Sequence, residues 1–232
     1  MRQWMSALVI SLLLLSSQVM AFDHSRWNTL LQQHVQPQRG GVATAVDYDG
    51  IAENHEALQS YLDSLTAVTQ GEFNGFSRDE KLAFLINAYN AFTVELILRE
   101  NQPDSIRDIG SLFSGPWDKA FFSLLGEPRT LDELEHEMIR DNPDLMDPRI
   151  HFAVNCASIG CPALRATHYS GADEELEKQL EDATKSTLNN ARYVSIRADE
   201  VAVTKILKWY GEDFTDSSFQ GHAESVLAYI AR

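Results

Sequence analysis

The chain has 232 residues, 34 of them acidic against 19 Lys and Arg, giving a formal net charge of −15 at pH 7. So large a negative excess repels phosphate backbones and anionic lipid surfaces, which argues against nucleic acid as a partner. The length suits one domain with a sizeable core, and no repeat or low-complexity linker divides it.

The N-terminal stretch MRQWMSALVISLLLLSSQVMA, Met1 to Ala21, reads as a secretory signal peptide. Arg2 supplies a positive start, Ala7 to Leu15 an apolar run too short for a bilayer, and Val19-Met20-Ala21 a small-residue cleavage site. Cleavage there places the mature start at Phe22 and the protein in an exported, periplasmic or extracellular setting. It removes one Arg, leaving 18 basic against 34 acidic residues, or −16. No later run reads as long and apolar enough to span a membrane, so a soluble mature protein is expected.

Taken in order, the pattern predicts an α+β domain in which helix outweighs strand. Arg26 to Val35 reads as helix, Val42 to Tyr48 as strand, and Glu53 to Leu65 as a helix with Leu58, Leu62 and Leu65 on one face. Ser77 and Glu80 have capping-box spacing ahead of the most apolar helix, as do Thr130 and Glu133 ahead of a helix reaching about Arg140. Between these two helices, Phe121 to Leu125 and Arg129 to Leu131 flank Gly126-Glu127-Pro128 as a hairpin. Arg149 to Cys156 reads as a strand. Leu176, Leu180, Ala183 and Thr187 line one face of an acidic helix. Tyr193 to Arg197 and Val201 to Thr204 form a second predicted hairpin, and Lys205 to Tyr210 a short helix. The expected architecture is a single domain with a buried central helix packed on a small sheet and hairpins.

The central helix, LAFLINAYNAFTVELIL from Leu82 to Leu98, is apolar nearly all round, the mark of a helix buried within a domain. Asn87 and Asn90 nonetheless share a side of it. A buried amide without partners costs about 1–3 kcal/mol, so both must be hydrogen-bonded. They either pin a loop to the helix or line a pocket.

RIHFAVNCASIGCPALR, Arg149 to Arg165, holds both cysteines of the chain, and His151, Cys156 and Cys161 follow one another at steps of five. Read as a strand, it turns His151 and Asn155 to one face and Phe152, Val154 and Cys156 to the other. That parity separates His151 from Cys156, leaving Cys161, between Gly160 and Pro162, as the thiol free to turn toward the imidazole. In an oxidising compartment a Cys156–Cys161 disulfide ranks first, free or separately buried thiols second, and metal ligation last, since the spacing matches no common zinc motif.

These residues carry a family resemblance. LAFLINAYNAFTVELIL, LDELEHEMIR, DPRIHFAVNCASIGCPAL and VTKILKWYGEDF, in that order, resemble the domain of unknown function 547 family over roughly residues 46–214. The pattern falls on Asn87, Tyr89 and Asn90, on Glu135 and His136, and on Arg149, His151, Cys156, Cys161 and Pro162. It ends on Trp209, Tyr210, Asp213 and Phe214. The resemblance implies export for many bacterial members and neighbouring coiled-coil segments in plant members, and it implies no general activity.

No phosphate loop, Gly-x-Ser-x-Gly elbow or His-Glu-x-x-His motif occurs, and the sequence asks for no cofactor or metal. Glu135-His136-Glu137 on a helix cannot turn three side chains to one ion. Trp209-Tyr210 reads as core packing, or as one rim of a pocket. Two function classes remain. The favoured one is a binding module whose pocket, walled by Asn87, Asn90, Arg149 and His151, takes a small polar or peptidic ligand. The alternative is a thiol-dependent hydrolase or transferase with Cys161 or Cys156 as nucleophile, His151 as base, and Asn155 or Glu135 as orienting group. The first expectation concerns processing: mass spectrometry of the exported chain finds Phe22 at its N-terminus, and an intact Met1 held in the membrane overturns the signal-peptide reading.

Overall fold

The computed structural model describes residues 21–38, 43–110, 114–198 and 200–232; the predicted signal peptide lies outside them except for Ala21. Helix far outweighs strand, 48% against 10%, in a helix-rich α+β domain. Helix α1 (Ser25–His34) leads into strand β1 (Val35–Pro37), which pairs antiparallel with β2 (Thr44–Val46). Val42 lies outside the described residues, and Tyr48 opens a short helix, α2 (Tyr48–Glu53), rather than closing the strand. Asp47 causes that switch, because its side chain accepts the Gly50 N–H and so caps the new helix.

Helix α3 (His55–Thr66) buries Leu58, Leu62 and Leu65 as their spacing predicts. A further short helix, α4 (Gln70–Gly75), starts at a capping box between Thr69 and Glu72 that the sequence reading passed over. The Ser77–Glu80 box is present and opens α5 (Arg78–Arg99), the axis of the domain. Every residue of α5 from Leu82 to Ile97 is buried. By length and composition this helix could cross a membrane, contrary to the expectation that no such run exists, but 89% of its most apolar window is buried inside the fold.

Strands β3 (Phe122–Leu124) and β4 (Glu127–Arg129) form the first predicted hairpin, with its turn at Leu125-Gly126 and not at Gly126-Glu127-Pro128. Both turn residues have positive φ, 55° and 86°, the backbone that a two-residue hairpin loop needs and that Gly126 adopts freely. The Thr130–Glu133 capping box opens a single α-turn, α6 (Leu131–Glu133), which widens into a π-helix over Leu134–Arg140. Its last bond runs five residues back, from the Asp141 N–H to the His136 carbonyl at 2.7 Å.

The predicted strand from Arg149 to Cys156 does not form. Pro148–Phe152 is a 3-10 helix with all five residues buried. Asp147 caps it through the Arg149 N–H, and Pro148 brings a φ already suited to a first helical position. The alternation that resembled a strand arises because this segment is enclosed on every side. Its parity argument therefore falls: Ile150 joins the main core and Phe152 a second cluster with Leu207, Phe214 and Tyr229.

Helix α7 (Glu175–Leu188) packs against that 3-10 turn, burying Leu176, Leu180, Ala183 and Thr187. The second hairpin, β5 (Val194–Arg197) with β6 (Glu200–Val203), is followed by α8 (Lys205–Trp209) and, at the end, α9 (Val226–Ile230).

The two asparagines of α5 hold the loops around it. Asn87 donates to the Tyr169 carbonyl at 2.7 Å and accepts the Tyr169 N–H at 2.9 Å. Asn90 donates to the Ala153 carbonyl at 3.1 Å and accepts the Asn155 N–H at 2.8 Å. Close packing reinforces the first clamp, since any Cβ at Gly171 would collide with the Glu80 backbone. Replacing either amide by Leu strands two buried backbone groups. Denaturant unfolding should show Asn87→Leu and Asn90→Leu each losing about 1–3 kcal/mol, and unchanged midpoints for both would show that the clamps carry no stability.

Candidate functional site

Asn155 continues the Asn90 clamp into the cysteine loop. Its side chain donates to the Pro162 carbonyl at 2.6 Å and accepts the Ala157 N–H at 3.0 Å, so it braces both ends of the loop. Within that brace Cys156 and Cys161 are joined as a disulfide, with Cα atoms 6.1 Å apart. Neither sulfur is a thiolate in this state, and a thiol nucleophile exists only after reduction. The Cys161 carbonyl accepts the Tyr193 hydroxyl at 2.8 Å, which fastens the loop to the residue before β5.

Arg149 is enclosed by carboxylates of the protein itself. Its Nε and Nη2 donate to Asp147 at 2.9 and 2.7 Å, and its Nη1 and Nη2 to Glu177 at 2.6 and 2.7 Å. Burial opposes the charge, but these hydrogen bonds outweigh it and hold the guanidinium pKa above its ordinary value. All three guanidinium nitrogens are thus engaged, and the fork expected in the wall of a ligand pocket instead locks the 3-10 turn to α7.

His151 sits where three segments meet. The 3-10 turn supplies the imidazole, the π-helix supplies Glu135 and Arg140, and the loop after α8 supplies Tyr210 and Asp213. The ring Nε2 bonds Asp213 Oδ2 at 2.7 Å, and Nδ1 lies 3.9 Å from Glu135 Oε1. Tyr210 stacks on the ring with centroids 4.1 Å apart and planes within 11°. Arg140 grips Asp213 with two bonds, at 2.6 and 2.8 Å. Burial pushes the Asp213 pKa up, but the hydrogen bonds from His151 and Arg140 more than reverse that and leave it below the ordinary carboxylate value. Burial, with Glu135 nearby, pushes the Tyr210 hydroxyl up to about 12.

An imidazole with one nitrogen fixed on a buried carboxylate is the arrangement that orients a general base. Here, however, only 1% of the His151 side chain is exposed, so the arrangement ties the 3-10 turn to the C-terminal segment. Glu135 is the expected neighbour of His151 that the fold does deliver. Asn155 is turned to the loop, and among the described residues the hydrogen-bonding and ionic partners of His151 are carboxylates and not a sulfur. The polar groups of Asn87, Asn90, Arg149 and His151 are turned to protein partners and not to a shared opening.

An opening is found across α5, on the side facing α3 and the first hairpin. A shallow cleft of about 120 Å³ is lined by Asp63, Thr66, Phe92, Glu95, Arg99, Phe121 and Phe122, among others. Glu95 is only 6% exposed, with Oε2 at 2.8 Å from His55 Nε2, and among the described residues its other oxygen accepts no hydrogen bond. Phe92 stacks on Phe122 at 3.9 Å, and Phe121 stands edge-on to both. The sequence held a signal for this site that the reading missed: Glu95 is the one charged residue between Leu82 and Leu98. Asp213, Tyr210 and Arg140 carried no comparable local signal, since only tertiary packing brings them to His151. Trp209 departs from the core-packing expectation, with 61% of its surface exposed.

Because Asp213 has a depressed folded pKa, its contribution to stability is present above its unfolded value of about 3.8 and is lost as pH falls through the folded value. Asp213→Asn should cost about 3 kcal/mol near neutral pH by leaving Arg140 and His151 without their anion. In denaturant unfolding across an acid series, the gap between variant and parent should close as pH falls, and a gap independent of pH would overturn the assignment.

No curated protein and no solved structure matches the chain. Residues 73–186, from α4 to α7, match the family model described as Protein of unknown function, DUF547, and over that span the chain resembles the DUF547 family.

Proposed function

We propose that this is an exported binding module whose seat is the cleft over Glu95 and whose ligand is a small peptidic one, an amino acid or short peptide with a free ammonium group. The observation that carries the reading is Glu95. A carboxylate set into a core helix costs stability unless something balances its charge. Its partner, His55, has 45% of its side chain exposed and so shares its hold on Glu95 with water. An ammonium group entering the cleft would complete the pairing, with Asp63 a second carboxylate in the same lining.

The rest of the lining suits the same ligand. Arg99, one turn beyond Glu95 on α5, offers a guanidinium to a ligand carboxylate; it already lies 5.5 Å over the Phe121 ring and donates to the Phe121 carbonyl at 3.1 Å. The three phenylalanines give an apolar wall for the body of the ligand and a π-face for its cationic end. At about 120 Å³ the cleft is smaller than an ordinary small-molecule site, so it would seat the ammonium end of such a ligand and leave the rest of it outside.

Calorimetric titration with alanyl-phenylalanine and with its N-acetyl derivative tests this. The free dipeptide should bind, and acetylation or Glu95→Gln should each weaken it at least roughly tenfold through loss of a charged hydrogen bond. Arg99→Ala should weaken the free carboxylate form and leave the C-terminal amide unaffected. Equal affinity for the free and acetylated dipeptides, or no binding by either, overturns the proposal.

A further inference from the structure

Charge and exposed apolar surface coincide at one end of the molecule. From Asn189 to Tyr210 the chain carries Arg192, Arg197, Lys205 and Lys208 against Asp199 and Glu200, a local balance of +2 in a chain of −15. All four basic residues are exposed, and among the described residues none is in an ion pair. The same stretch holds four of the exposed large apolar side chains: Ile196 at 74%, Trp209 at 61%, Val201 at 41% and Val203 at 37%.

The register of the ribbon arranges these side chains. Val194 pairs with Val203 and Ile196 with Val201, so all four lie on one face of the β5–β6 hairpin. At its base Val194 packs against the second core cluster, which also buries Ile206 and Leu207 of α8. The ribbon and α8 are therefore anchored in the same place, while Ile196 and Val201 sit beyond the core. On α8, Lys205 lies 5.7 Å from the Trp209 ring, an aromatic with a cation beside it at the surface.

We propose that this end of the domain docks on an anionic phospholipid bilayer, with Ile196, Val201 and Trp209 entering the interface and Lys205 and Lys208 meeting the headgroups. An apolar face rimmed by Lys and Arg, with an exposed Trp, is the composition of a surface that lies in the interface without spanning the membrane. Lys and Arg stems cover apolar surface while their charged ends reach the phosphates. The acidic excess of the whole chain opposes approach at long range. At physiological ionic strength, however, charges beyond about 8 Å are largely screened, so the local cations govern contact. The disulfide loop belongs to the same end through the Tyr193–Cys161 bond, and it exposes Ile159 at 80%. The proposal is independent of the peptide cleft, which lies across α5 on other residues.

The test is cosedimentation of the chain lacking its signal peptide with phosphatidylcholine vesicles, with and without phosphatidylglycerol. Binding should require phosphatidylglycerol and weaken with added salt. Lys205→Gln with Lys208→Gln should lower partition roughly twenty-five-fold, about fivefold for each charge removed. Ile196→Ser should also lower it, with the unfolding midpoint unchanged because the side chain is exposed. Brominated lipid should quench the fluorescence of the parent, and Trp209→Phe should remove most of that quenching, since Trp27 is only 1% exposed and Trp117 packs partly buried against the main core, away from this end. No sedimentation with either vesicle overturns the proposal, as does binding that survives both the lysine and the Ile196 substitutions. Retention of the patch by a protein partner in place of lipid would appear as the first of these outcomes.

Discussion

An amide buried midway along an apolar helix has two hydrogen-bonding ends and no water to serve them, so it must find backbone elsewhere in the chain. On α5 this requirement is met twice, and each time the partner is a segment far away in sequence: Tyr169 for Asn87, Ala153 and Asn155 for Asn90. The partners lie on either side of the cysteine loop, between Asn155 and Tyr169, and the clamps therefore fix where that loop begins and where the chain returns to α5. Asn155 then braces the loop internally, and the disulfide closes it. Two side chains of one helix organise a segment that forms no regular strand or helix of its own.

The acidic excess has a structural share that a net charge conceals. Asp147, fully buried, caps the 3-10 turn and holds Arg149; Glu177 completes the Arg149 grip from α7; Asp213 binds Arg140 and His151 together. These carboxylates act as internal joints between segments. Others, including Glu181, Asp182 and Glu212, are exposed. Positive charge prevails locally in the β5–β6 ribbon with α8, and there the apolar residues are left uncovered as well.

How much of this could be read from the sequence varied with the range of the interactions involved. Capping boxes are local, so Ser77–Glu80 and Thr130–Glu133 were legible, as were the leucines of α3 and the buried face of α7. Asn87 and Asn90 were legible as buried and bonded because their helix is apolar all round, but the identity of their partners was not. The 3-10 turn was misread because residues enclosed on every side show no periodicity to separate strand from helix; Asp147-Pro148 was the better guide there. The cleft went unread because its lining comes from α3, α5 and the first hairpin at once, and its one local mark, Glu95, is a single residue in an apolar run.

The π-helix has a consequence for how the segment tolerates change in length. Seven residues from Leu134 to Arg140 follow the wider winding, with Glu135 near its start and Arg140 at its end. A wide turn of this kind accommodates an extra residue within an α-helix without moving the residues on either side. Deleting one residue between Glu135 and Arg140 would therefore let the segment relax to the ordinary winding with Glu135 still beside His151 and Arg140 still beside Asp213. The joint depends on which residues stand at its ends more than on the number between them, and in this segment length varies more freely than composition.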